Sequence, residues 1–251
     1  MKKLILTSCL CILFVAGTAL ADWDLGDPYK MHYPQLPDPW GWDVYAEWPK
    51  VLADDWRCTE TGPVSDVHLW GSWRQDMWGT IDSIHLSIHD NIPAGADGAD
   101  YSQPGDLLWD QWVTDFTVID IWEMVGDQGW YNPNTGDYAW PDHMMLHQIN
   151  IVDIVEPFTQ EEGGIYWLDI SVVLSSESDP NADWGWKTSL DHWQDDAVWS
   201  DDGVNWTPLY DPLMPSESLD MAFVITPEPA TIALLGLGAL GLIRGRRRQG
   251  K

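Results

Sequence analysis

Within Ile81–His89 the chain alternates: Ile84, Leu86 and Ile88 fall on one side of an extended chain, and Ser83, His85, Ser87 and His89 on the other. A period of two cannot form a helix face, so the segment predicts a half-buried strand with one side on a core. Ile165–Leu174 repeats the pattern with Tyr166, Leu168, Ile170, Val172 and Leu174, and Leu219, Met221, Phe223 and Ile225 repeat it again near the end. Shorter apolar runs at 64–73, 107–113, 116–124, 144–155 and 197–200 are separated by clusters of Gly, Pro, Asn and Asp. Between Trp199 and Trp206 the pair Asp202-Gly203 tolerates positive φ and signals a hairpin. No amphipathic helical pattern persists and no internal repeat is visible, which argues against a propeller or solenoid. The expected fold is all-β, an antiparallel β-sandwich of jelly-roll type.

The two ends do not belong to that pattern. Lys2 and Lys3 precede an apolar run over 4–15, and Ala19-Leu20-Ala21 offers a small-x-small cleavage site, so 1–21 reads as a secretory signal peptide. At the other end, 230–243 holds no charged residue. As a helix it would cover only ~21 Å of a ~30 Å hydrocarbon core, giving a short transmembrane segment. Arg244, Arg246, Arg247 and Arg248 follow directly and would orient the segment, holding its end on the cytoplasmic side. A permanent inner-membrane anchor and a removable sorting signal share these parts. The chain therefore divides into a signal peptide (1–21), an extended, Pro- and Trp-rich lead-in (22–49), a β-sandwich (50–226) and a C-terminal signal (227–251).

Charge excludes several functions. The chain carries 40 acidic against 12 basic residues. Over 22–226, 39 acids face only Lys30, Lys50, Arg57, Arg74 and Lys187, a formal charge of −34. Such a surface repels nucleic acid and anionic headgroups, so neither is an expected partner of the exported part. All 19 tryptophans lie in the same stretch, which supplies the core that a disordered acidic chain would lack. Cys58 is its one cysteine, so no internal disulfide is available, and the acids around it favour a buried structural thiol over a catalytic thiolate.

Candidate sites are few. Trp40-Gly41-Trp42 and Trp184-Gly185-Trp186 each set two indoles on one side of an extended chain, a candidate sugar platform if exposed and core packing if buried. Asp179, Asn181 and Asp183 offer oxygens at alternate positions, as at the start of a calcium loop, but Trp184 stands where an EF-hand needs glycine. A structural calcium is the one cofactor considered. On a strand His85 and His89 are separated by ~13 Å, too far to share an ion. No nucleophile elbow, P-loop or dinucleotide fingerprint occurs.

Pro227-Glu228-Pro229, the apolar segment and the terminal arginines resemble, in that order, the PEP-CTERM sorting signal of Gram-negative-type bacteria. The resemblance implies recognition by an exosortase, a membrane-embedded transpeptidase-like enzyme, and an exported carrier associated with extracellular polysaccharide. Asp54-Asp55-Trp56-Arg57-Cys58, His68-Leu69-Trp70-Gly71-Ser72-Trp73, Gly129-Trp130-Tyr131-Asn132-Pro133 and Trp167-Leu168-Asp169-Ile170 resemble a Trp-rich secreted domain of unknown function in PEP-CTERM proteins of planctomycete-type bacteria. It implies an address and no mechanism. The expectation is a non-enzymatic protein held at the inner membrane and then delivered to the cell surface or matrix; a carbohydrate-binding module is the alternative, and a glycan-active hydrolase or lyase the second.

Overall fold

A computed structural model describes residues 22–96, 98–121, 126–194 and 196–227. The strands, in chain order, begin with β1 (Trp42–Tyr45), β2 (Val51–Arg57), β3 (Gly62–Pro63), β4 (Asp66–Trp73), β5 (Ile81–Ile92) and β6 (Gln103–Val113). There follow β7 (Thr117–Ile121), β8 (Gln128–Asn132), β9 (Asp137–His143), β10 (Leu146–Ile151), β11 (Thr159–Gln160) and β12 (Ile165–Leu174). The last are β13 (Trp184–Ser189), β14 (Val198–Ser200), β15 (Thr207–Pro208), β16 (Asp220–Met221) and β17 (Phe223–Thr226). One short 3-10 turn, Arg74–Asp76, is the helical element among the described residues.

The strands form two main sheets. The nine-stranded one runs β7-β10-β4-β13-β1-β8-β9, with β16 beside β13 and β17 beside β4; the six-stranded one runs β15-β14-β2-β12-β5-β6. A single core joins them: Leu69, Ile149, Phe223 and Trp186 from the first meet Leu52, Ile84, Leu86, Leu168 and Ile170 from the second. The molecule is thus an all-β sandwich. Pairing is antiparallel except between β1 and β8, which run parallel.

The alternation over 81–89 produces β5 as expected. Ile84, Leu86 and Ile88 enter the core with no more than 1% exposure, each contributing roughly 1.5–3 kcal/mol of burial free energy. Opposite them on β12, Val172, Ile170 and Leu168 continue the same face. The other face of this sheet carries His85, Ser87, His89, Asp169 and Ser171, and part of it is roofed by a satellite cluster of Val51, Ala53, Trp167, Val198 and Trp206 with Tyr101 packed on it. The Asp-Gly turn closes the β14–β15 hairpin, with Gly203 at φ 70° and the Asp202 carboxylate accepting from the amides of Val204 and Asn205.

The lead-in assigned to 22–49 is corrected by the structure. Its backbone runs against the nine-stranded sheet: the Lys30 amide donates to Ile225 O, that of Gln35 to Phe223 O and that of Asp38 to Thr188 O. It then becomes β1, an interior strand between β13 and β8. Isolated bridges such as Gln35↔Phe223 and Pro37↔Ser189 replace a continuous ladder, so no alternation marks the segment.

Candidate functional site

The two Trp-Gly-Trp segments have different fates. Trp184 and Trp186 lie on β13 between β4 and β1, and are 1% and 0% exposed. The Trp186 indole N–H donates to Ala222 O at 2.8 Å, and the Trp184 ring lies over Gly71, where any side chain would collide with it. A platform at Trp184 and Trp186 is therefore corrected: an interior strand facing the opposite sheet leaves neither indole a face for a sugar.

Trp40 and Trp42 straddle the entry into β1. Trp40 sits on a turn closed by the Gly41 amide donating to Asp38 O, and is 62% exposed; Trp42, one step into the strand, is 3% exposed. Trp42 donates its indole N–H to Asp211 Oδ2 at 2.9 Å and meets Trp140 edge-on, with ring centroids 5.3 Å apart. Around these rings opens a groove of about 380 Å³, whose wall includes Trp40, Trp42, Trp140, Leu213 and Met214. Trp140 is 43% exposed. Exposed indoles gathered around a concavity are a costly surface for a monomer.

Two acids of this groove are committed to its frame. Asp38 Oδ1 accepts from the Trp40 amide, and Asp211 Oδ1 accepts from the amides of Leu213 and Met214. They shape the loops that hold the indoles and present further acceptor lone pairs, an arrangement suited to hydroxyl donors.

A second groove, about 270 Å³, opens on the outward face of the six-stranded sheet. Its floor is the polar side of β5: Asp169 accepts from the Ser87 hydroxyl through Oδ1 and from His89 Nε2 at 2.9 Å through Oδ2. His89 Nδ1 faces Gly105 O at 3.0 Å. Both partners are acceptors, an arrangement that favours the doubly protonated ring. Burial alone would lower the His89 pKa, but the hydrogen bond and charge of Asp169 and the Gly105 carbonyl raise it above its ordinary value. Trp48, on the wall, meets Trp112, which lies outside the lining, edge-on at 5.3 Å, with His85 against both rings. His85 Nε2 lies 3.5 Å from Asp110 Oδ2. Each histidine thus has its own carboxylate.

Beneath β1 lies a buried charge cluster. Asp43 Oδ2 accepts from His143 Nε2 at 2.7 Å and from Lys187 Nζ at 3.0 Å, while His143 Nδ1 lies 3.1 Å from Asp142 Oδ2. Asp43, Lys187 and His143 side chains are wholly buried. Burial pushes the Asp43 carboxyl up, yet Lys187 and His143 more than offset this and hold it below its usual range. Desolvation lowers His143 too, and the attraction of Asp43 reverses it to a raised value. Lys187 is lowered by burial despite Asp43. The cluster is sealed from solvent, so its part is to join β1, β13 and β9.

The candidate calcium ligands have protein partners. Asp183 Oδ2 pairs with Arg74 Nη1 at 3.1 Å, and Asp179 Oδ1 accepts both the backbone and side-chain N–H groups of Asn181. Asn181 thereby turns its amide nitrogen, not its oxygen, toward Asp179. Among the described residues no group of three or more His, Cys, Asp or Glu is placed to hold a metal. Cys58 is buried, donates its thiol to Glu60 O at 3.2 Å, and burial raises its pKa. Pro227 is the last described residue; Glu228, Pro229, the segment 230–243 and Arg244, Arg246, Arg247 and Arg248 lie outside the described residues, as does the stretch 1–21.

Sequence reasoning missed Trp140, Trp48, Trp112 and Asp110. The one available signal for the second groove was the polar face of 81–89, with two histidines on a strand that a solvated edge would not require.

Fold and grooves together define an all-β domain that displays aromatic clefts on two sheets. The model of a domain of unknown function, DUF7901, matches residues 31–226, and the chain belongs to that family. The PEP-CTERM protein-sorting motif matches residues 226–248. That motif marks an exported chain sorted by an exosortase to the cell surface. No curated protein and no solved structure matches the chain.

Proposed function

We propose that the exported domain is a non-enzymatic carbohydrate-binding module of the cell surface or extracellular matrix, taking uncharged polysaccharide in the groove of Trp40, Trp42 and Trp140. The observation that carries this reading is the exposure of Trp40 and Trp140 around a cavity of about 380 Å³. Sugar rings present C–H faces that stack on indoles, while their hydroxyls donate to carboxylates such as Asp38 and Glu217. The formal charge of −34 disfavours anionic polymers. Binding without cleavage is favoured because Asp38 and Asp211 serve the loop amides and Glu217 alone of the lining acids does not, whereas glycoside hydrolysis needs two carboxylates free to act on the glycosidic oxygen and the anomeric carbon.

In this reading the segment 230–243 holds the chain at the inner membrane until an exosortase acts at Pro227-Glu228-Pro229, and the arginines keep the terminus cytoplasmic. A glycan array probed with the protein and with Trp40→Ala and Trp140→Ala tests the binding: signal on uncharged glycans lost in both folded variants is the expected result. Equal signal in all three proteins, or release of reducing ends from a bound glycan, would overturn the proposal.

A further inference from the structure

We infer that the groove on the six-stranded sheet is a second, separate glycan site, so that one domain holds two polysaccharide chains and acts as a noncovalent cross-link. The inference rests on the carbohydrate reading of the first groove and extends it to a mechanical role. Its first support is the surface itself: Trp48, 51% exposed, lines a cavity of about 270 Å³, and Trp112, 44% exposed, packs against that indole from outside the lining. Two indoles left in water at the mouth of a polar-floored cleft are the same unsatisfied apolar surface that marks the first groove.

The second support is the floor. Ser87, His89 and Asp169 are buried and mutually hydrogen-bonded, with His89 also fixed by Gly105 O. Such a floor loses little freedom when a ligand settles on it. Asp110 and Asp202 add acceptors for hydroxyl donors at the rim and, with the acidic surface around them, exclude an anionic chain.

The third support is separation. No residue lines both grooves. One is built from β1, β9, β13 and the loop that leads to β16, at the rim of the nine-stranded sheet; the other from β2, β5, β6 and β12, on the face of the six-stranded sheet turned away from the core. A glycan seated in one leaves the other empty, and two weak sites on one body retain a polymer far better than either alone.

The test uses the full chain in detergent, titrated calorimetrically with cellohexaose, mannohexaose and chitohexaose, and mixed with hydroxyethylcellulose, galactomannan and glycol chitin to follow viscosity. Variants are Trp48→Ala and Asp110→Asn in the second groove and Trp40→Ala and Trp140→Ala in the first, each checked by near-ultraviolet circular dichroism. The inference expects two oligosaccharides per chain for at least one sugar, and a second-groove affinity at least ~10-fold weaker with Trp48→Ala. Thickening of the matching polymer should be abolished by a variant in either groove. One oligosaccharide per chain, lost only with Trp40→Ala, would overturn the cross-link and leave the first-groove reading intact. One per chain, lost only with Trp48→Ala, would overturn both the cross-link and the placing of the site at Trp40. Binding of none of these sugars would overturn both readings.

Discussion

The same tripeptide, Trp-Gly-Trp, occurs at 40–42 and at 184–186, and the two copies do opposite things. In both, the glycine is required by close packing: a Cβ on Gly185 would stand 2.9 Å from the Asp43 carbonyl carbon and 2.9 Å from the Trp130 ring, and one on Gly41 would stand 2.8 Å from Asp38 Cβ and collide with Thr188. The first tryptophan makes the difference. Trp184 pairs with Trp73 inside a sheet and is 1% exposed, whereas Trp40 rides on a turn before its strand begins and is 62% exposed. Solvent access here follows from place in the sheet and not from residue type.

The comparison can be broken most forcefully at its buried half. Trp186→Ala should lower unfolding free energy by about 3–5 kcal/mol, the cost of emptying a large core side chain, read from a urea denaturation midpoint. A loss below about 1 kcal/mol would mean that the interior of β13 collapses around the gap and is not close-packed. Next comes the charge cluster that ties the two segments together, since Lys187 donates to both Gly41 O and Asp43. Asp43→Asn removes the carboxylate that Lys187 and His143 share and should cost about 3 kcal/mol by the same measurement. A simultaneous Lys187→Met change should recover part of that loss, because a neutral pair needs no counter-charge.

A smaller effect separates the halves by pH. Glu47 accepts from the Trp184 amide at 2.7 Å, and burial, only partly offset by that hydrogen bond, raises its pKa to about 7 from a model-compound value of 4.5. The folded state thus keeps this proton where the unfolded chain has released it. The stability linked to Glu47 is fully present below about pH 4.5 and is lost as pH rises toward about 7. Glu47→Gln should flatten the decline over that window; an unchanged slope in denaturation midpoints would assign the decline to other groups. Smallest in stability and largest in function is Trp40→Ala, which should shift unfolding free energy by no more than about 0.5 kcal/mol. It should still remove glycan retention on an affinity gel. A large stability loss would show that Trp40 packs as its counterpart does.

Legibility in the sequence followed the same division. β5 and β12 were readable because one face is apolar and the other polar, and the residues sorted themselves by period. β1 and β13 were not, because both of their faces are buried and their charges are cross-strand partners: Asp43 sits opposite Lys187, 144 residues away. A buried aspartate and lysine read separately look like solvated loop residues. The site was legible by half: Trp40 and Trp42 were identified as candidates, while Trp140 reaches the same groove from β9, a strand whose own residues alternate too weakly to be seen.

By itself the sequence determined the all-β class, the alternating core faces, the acidic character of the exported part and the order of the sorting signal, because each is written in neighbouring residues. Only the tertiary structure decided which indoles meet solvent, which histidines face a buried carboxylate and which acids are bound to loop amides. Those outcomes depend on partners far along the chain, and burial and pairing energies arise only when the sheets have closed over them.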